Sequence, residues 1–185
     1  MKLTVSEKTT LLSMAGRAIA QKVEPRKKSI NNGEELTELL QRKCGAFVSV
    51  YVDQKLRGCI GTFSEDEAMY KNVIKMAVSA ATTDTRFAPL LPEELSRLVI
   101  EISVLSPRQR IFDPSDIEIG KHGIYIQQGS NRGTLLPQVA VKEQWSIKEF
   151  LGNCSRYKAG IGWDGWKMAE LFTYEALVFK SEALP

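Results

Sequence analysis

The sequence predicts an α+β fold, antiparallel sheets with flanking helices, and three observations carry that prediction. Two segments open on a capping box and continue with apolar residues at helical spacing. Several others alternate apolar and polar positions, as strands do. The two kinds are interleaved without the repeating strand-to-helix-to-strand rhythm of a doubly wound fold. With 185 residues, 43% hydrophobic and 25% charged, the chain can bury a core without disulfides or a structural metal.

Taken in order, Thr4 and Glu7 form the first capping box, and Leu11, Leu12, Ala15, Ala18 and Ile19 follow on one helix that ends before Pro25. Leu36, Leu39 and Leu40 mark a short second helix. The period then changes over residues 46–52, where Val48, Val50 and Val52 share one face and Phe47, Ser49 and Tyr51 the other. Asp53-Gln54-Lys55 turns the chain into a return strand at 56–62, so the pair reads as a hairpin. Residues 69–81 set Val73, Ile74, Ala77, Val78 and Ala81 on a helical face, and residues 84–92 are irregular with prolines. A strand follows at 98–105. Turns at 113–116 and 120–123 precede a strand at 124–128 and an extended segment at 134–136, which flank a loop at 129–133. Ser146 with Glu149 opens a helix bearing Ile147, Phe150, Leu151 and Cys154, which stops near Gly160. Residues 169–180 close the chain as a strand too apolar on both faces for a solvated edge, and are expected in the same lobe as the N-terminal helix.

Charge and composition exclude several classes of function. Lys and Arg number 25 against 22 Asp and Glu, a net charge of +3, and the one dense basic run is Arg26-Lys27-Lys28. That is too little for a dedicated nucleic-acid patch. The N-terminus turns polar before an apolar core of a signal peptide can form, and the most apolar stretch, 98–105, is broken by Glu101 and Ser103, so neither export nor a membrane span is expected. Cys44, Cys59 and Cys154 are odd in number and far apart, and read as free thiols in a reducing cytoplasm.

Gly160-Ile161-Gly162-Trp163-Asp164-Gly165 spells G-x-G-x-x-G, but it follows a helix, so no dinucleotide is expected there. Gly120-Lys121 lacks the flanking residues of a P-loop. A zinc site would need the three cysteines and His122 to gather from distant places without paired spacing. No metal and no cofactor is expected.

Leu56-Arg57-Gly58-Cys59-Ile60-Gly61-Thr62 is the most informative stretch. Glycine in a strand is costly unless backbone or ligand must come close, and here Gly58 and Gly61 flank a cysteine. Arg57 and Cys59 have the same parity along the strand, so a guanidinium is expected beside the thiol, where it lowers the pKa. The plain alternative is a small packed cysteine between two sterically required glycines. His122 is the one imidazole and hence the one candidate histidine base; it sits with Lys121 in a tight loop. Asp84 and Arg86 offer a carboxylate and a guanidinium on one irregular segment, and the plain alternative there is an ion couple that fixes its own loop. Convergence of Cys59, Arg57, Asp84, Arg86, Lys121 and His122 would favour an anionic ligand and a depressed thiol pKa, with His122 taking the proton.

Together with Glu101-Ile102-Ser103-Val104-Leu105-Ser106-Pro107, Gly120-Lys121-His122-Gly123 and Leu135-Leu136-Pro137-Gln138-Val139-Ala140, the hairpin and the 84–90 segment resemble the AMMECR domain proteins, in order and spacing along nearly the whole chain. One departure is Thr85, where many relatives carry proline. The resemblance implies a single domain over residues 1–185 with two unequal lobes and a cleft between them, the larger lobe built from both termini and the smaller from a central segment. It supplies no activity. Microbial relatives, under the label AmmeMemoRadiSam, are encoded beside Memo-family and radical SAM proteins, which implies a shared modification pathway by association. Two classes of function follow: a cytoplasmic cysteine-dependent enzyme or pathway component with Cys59 and His122 as catalytic residues, and a noncatalytic module that grips a protein, peptide or RNA partner.

Overall fold

The computed structural model describes residues 2–26 and 36–182. They fall into two compact units, Met1–Leu105 with Leu177–Pro185, and Ser106–Ala176. In the basic run, Lys27 and Lys28 lie outside the described residues.

The first unit begins with α1 (Val5–Val23), opened by the expected capping box: Glu7 N–H donates to Thr4 Oγ1 at 3.2 Å and Thr4 N–H to Glu7 Oε2 at 2.8 Å. The second carboxylate oxygen accepts from the hydroxyl of Thr37 at 2.7 Å, and Thr37 is the N-cap of α2 (Glu38–Gln41). One buried carboxylate therefore ties two helix starts together, and the Thr37 hydroxyl holds its pKa below the ordinary value.

The hairpin β1 (Ala46–Val52) and β2 (Lys55–Thr62) follows, then α3 (Met69–Thr82) and β3 (Leu98–Leu105), with the strands in antiparallel order β2-β1-β3. The alternation read from β1 is the one observed: Val48, Val50 and Val52 are buried while Phe47, Ser49 and Tyr51 are half-buried. Leu11, Ala15 and Ile19 of α1 and Met69, Val73 and Ala77 of α3 join these valines and Ile100, Ile102 and Val104 in one core. Each of the Leu, Ile, Val and Met side chains among them contributes about 1.5–3 kcal/mol on burial. The hairpin turn is shorter than expected, two residues instead of three, with Asp53 and Gln54 at φ 49° and 64°, the type I′ geometry that matches strand twist.

The second unit holds β4 (Gln109–Ile111), β5 (His122–Gln128), β6 (Asn131–Leu135), α4 (Pro137–Lys142), α5 (Ile147–Asn153) and β7 (Glu170–Lys180). Its strands run antiparallel in the order β4-β7-β5-β6, and from Leu177 onward β7 belongs to the first unit. Ile124, Ile126, Leu135, Phe150, Leu151, Cys154 and Leu171 form its core. The Ser146–Glu149 capping box is present, and α5 runs on into a π-helical turn, Cys154–Lys158. The five-residue loop expected at 129–133 is a correction: Gln128 pairs with Asn131, so two residues make the turn and Gly133 lies within β6. Gly133 is needed there because a Cβ would fall 2.4 Å from the Ala159 nitrogen. Among the described residues no helix is long and apolar enough to cross a membrane.

Candidate functional site

The candidate site grows from the half-buried face of β1. Ser49 stands opposite Cys59 on β2 and opposite Glu101 on β3, which makes a cross-strand row of thiol, hydroxyl and carboxylate on one face. Directly opposed Cβ atoms lie about 4.5–5.5 Å apart, so such side chains meet. Ser49 Oγ donates to Cys59 Sγ at 3.2 Å.

A one-residue slip in the hairpin creates this row. Near the turn Tyr51 pairs with Leu56, but Val50 pairs with Gly58, and Arg57 has no Cα partner on β1. Had the register of the turn continued, Cys59 would oppose Val48 on the face buried against the helices. The bulge moves it onto the open face. The same slip corrects the parity argument for Arg57, whose guanidinium gives Nε to Glu94 Oε1 at 2.9 Å and Nη2 to Glu94 Oε2 at 3.1 Å. This pairing raises the Arg57 pKa and lowers that of Glu94.

The expectation that Gly58 and Gly61 leave bare backbone for a ligand is also corrected. A Cβ on Gly58 would lie 1.8 Å from the Ala80 carbonyl oxygen of α3, and one on Gly61 would lie 2.1 Å from the Phe47 ring. Protein atoms occupy both places, and close packing explains both glycines.

Asp84 and Arg86 take hold of Cys59 by its backbone. Asp84 Oδ2 accepts from Cys59 N–H at 2.8 Å, and Arg86 Nη2 donates to Cys59 O at 2.9 Å. The two side chains are joined by a fork, Nε to Oδ1 at 2.9 Å and Nη2 to Oδ2 at 2.7 Å. The Asp84 side chain is 4% exposed and that of Arg86 59%. Arg86, ahead of the amide groups of Cys59 and Arg86, holds the Asp84 carboxyl well below the usual carboxylate range. The guanidinium also acts on the Cys59 side chain, so the thiol sits beside a cation that a buried anion orients.

The other thiols differ. Cys44 and Cys154 are buried, and burial pushes them up to about 11 and about 12. Cys59 is half-buried.

Lys121 and His122 belong to the second unit. Lys121 Nζ pairs with Glu118 Oε1 at 2.9 Å, which raises the lysine pKa, and His122 Nδ1 accepts from Glu118 N–H at 3.1 Å. Gly160 and Gly162, at φ 70° and 83°, shape a turn that Ser155 Oγ closes on the Gly162 carbonyl, and it leads into a single 3-10 turn at Gly165–Met168. Among the described residues no three His, Cys, Asp or Glu side chains gather as metal ligands.

Sequence reasoning did not single out Ser49, Tyr51 and Glu101. The alternation of β1 placed Ser49 and Tyr51 on one face, but the third strand that brings Glu101 to that face lies fifty residues on in the chain.

A family profile described as AMMECR1 matches residues 12–179. The chain is 38% identical over 192 residues to protein MK0488 of Methanopyrus kandleri, covering 98% of this chain and 91% of that one. It is 33% identical over 190 residues to protein MJ0810 of Methanocaldococcus jannaschii, covering 97% and 93%. Its fold is similar to the crystal structure of uncharacterized protein PH0010 from Pyrococcus horikoshii, with a TM-score of 0.84, 32% identity, and 95% and 91% of the two chains covered.

Proposed function

The chain belongs to the AMMECR1 family, and from that premise we propose that it works as a cysteine-dependent component of a modification pathway, with Cys59 as its nucleophile. One observation carries the reading. The half-buried sulfur of Cys59 accepts from Ser49 Oγ at 3.2 Å and sits beside the guanidinium of Arg86, a partly open, cation-flanked place of the kind reactive thiols occupy. Arg86, exposed yet oriented by Asp84, is the anchor for an anionic substrate. A reducing cytoplasm suits the role, because it keeps all three thiols free. Memo-family and radical SAM proteins are the proposed partners, on the resemblance alone.

A second reading, a noncatalytic module for a protein, peptide or RNA partner, is favoured by the commitments of the arginines: Arg57 and Arg86 both already hold carboxylates.

Alkylation separates the two readings. In the folded chain, iodoacetamide followed by peptide mass spectrometry is expected to label Cys59 and to spare the buried Cys44 and Cys154. Arg86→Ala should slow labelling of Cys59 by about tenfold, because it removes the cation beside the sulfur. His122→Ala belongs in the same series, as the arm that reads whether the imidazole contributes. Folded protein in which Cys59 stays unlabelled, or is labelled no faster than in Arg86→Ala, leaves the binding module.

A further inference from the structure

Helix α1 has two apolar faces, and the core uses one of them. Glu7, Leu11, Ala15 and Ile19 form the buried stripe, while Val5, Leu12, Gly16 and Ala20 recur at the same helical spacing along a second stripe that lines an open groove. Leu98 and Ile100 of β3 and Phe179 of β7 line it too. The groove encloses about 740 Å³, inside the range of roughly 300–1,000 Å³ typical of small-molecule sites, and every residue lining it belongs to the first unit.

Gly16 keeps the groove open. Glycine inside a helix is costly relative to alanine, and at Gly58 close packing explains why a glycine is needed. At Gly16 packing gives no such reason: among the described residues a Cβ there would meet Ile100 Cδ1 alone, at an ordinary 3.6 Å. A longer side chain would extend into the space between helix and sheet. The hydroxyls of the groove are already engaged. Thr9 Oγ1 donates to the Val5 carbonyl at 3.0 Å, Ser13 Oγ accepts from Arg17 Nη1 at 2.9 Å, and Ser181 Oγ accepts from Ile100 N–H at 3.0 Å. The walls therefore present no array of donors and acceptors that a sugar or a nucleobase would need, and they suit an occupant that is apolar along its length.

Charge distinguishes its end. Lys8 Nζ stands 5.9 Å from the centre of the Phe179 ring, and Lys180 follows that ring on β7, against one carboxylate, Glu182. Among the described residues neither ammonium pairs with a carboxylate. A second copy of the chain docked face to face through this groove would set the same two cations against themselves, whereas an anionic head group neutralises them.

We propose that this groove binds a single-chain carboxylate, with its alkyl chain laid between α1 and β3 and its head group held by Lys8 and Lys180. Burial of the chain supplies the affinity, and the cations decide which end faces the rim.

The test is isothermal titration calorimetry of the full chain with octanoate, decanoate and dodecanoate, each below its micelle-forming concentration. Affinity should rise about fourfold per added methylene, the ratio that burial of one CH₂ implies, with a negative heat-capacity change. Lys8→Gln combined with Lys180→Gln should weaken decanoate by about threefold to tenfold and leave the neutral 1-decanol unchanged. Gly16→Leu should weaken dodecanoate by about tenfold or more, with a thermal midpoint no lower than the parent's, because leucine is the better helix former. Ala20→Leu, one turn further along the same stripe, serves should Gly16→Leu fail to fold. Absence of binding, an affinity that ignores chain length, or binding that survives both leucine variants overturns the proposal. So does a parent that sediments as a dimer and becomes a monomer on Gly16→Leu, since a second copy then occupies the groove. Equal losses for decanoate and 1-decanol in the double lysine variant overturn the role of the head group.

Discussion

Gly58→Ala is expected to lower the stability of the chain by about 3 kcal/mol, at the upper end for an overpacked core, and the unfolding midpoint by about 6–12 °C. The added methyl would sit 1.8 Å from the Ala80 carbonyl oxygen and 2.8 Å from its carbon, and backbone inside a helix has no rotamer to change. Either α3 lifts from the sheet or β2 bends away from β1, and both disturb the largest core of the first unit. Gly61→Ala is the informative partner. Its methyl would meet the Phe47 ring at 2.1 Å, closer than any packed contact, but a ring can turn about its own side-chain bonds. That loss should stay under about 1.5 kcal/mol. Thermal melts of the two variants settle the point, and equal losses would show that helix and strand are not in the contact described.

Asp84→Ala is expected to cost about 3 kcal/mol, because it strands a strand amide and a guanidinium that share one buried carboxylate. The estimate sits at the low end for broken buried pairs, since the Arg86 side chain is 59% exposed and water takes over part of its charge. Acid exposes the same interaction without a change of fold. The folded-state pKa of Asp84 is depressed, so its contribution is fully present above the unfolded-state value of about 3.9 and is lost as the pH falls toward the folded-state value. In urea titrations the gap between parent and Asp84→Asn should hold level from about pH 8 to 5 and narrow below about pH 4. A gap that stays constant into acid would mean the carboxylate charge contributes nothing.

Much of the fold was legible because its cues are local. The Thr4–Glu7 and Ser146–Glu149 boxes need three residues of spacing, and the β1 alternation needs six; both appear as read. What escaped has causes of other kinds. β4 is three residues long, too short to show a period, and α4 begins on a proline that also serves a turn. The bulge at Arg57 cannot be seen by counting parity along one strand, since it exists only relative to the partner. For the candidate site the same division holds. Cys59 announced itself by its glycines, yet the reason for Gly58 is a helix more than twenty residues away, and the grip of Asp84 on the Cys59 amide spans 25 residues of chain. Glu101 reaches the row only through the β1–β3 register, which is a property of the assembled sheet.

The hold of Asp84 and Arg86 on Cys59 also bears on self-association. β2 is the outermost strand at its end of the sheet order, and an outermost strand offers unpaired amides as a template for another chain. At Cys59 both outward groups are already taken, the N–H by a carboxylate and the carbonyl by a guanidinium, so two side chains stand in for a neighbouring strand. A peptide that tried to add itself to this edge would first have to displace an ion pair, and a chain that lost Asp84 would expose an adhesive border next to its thiol.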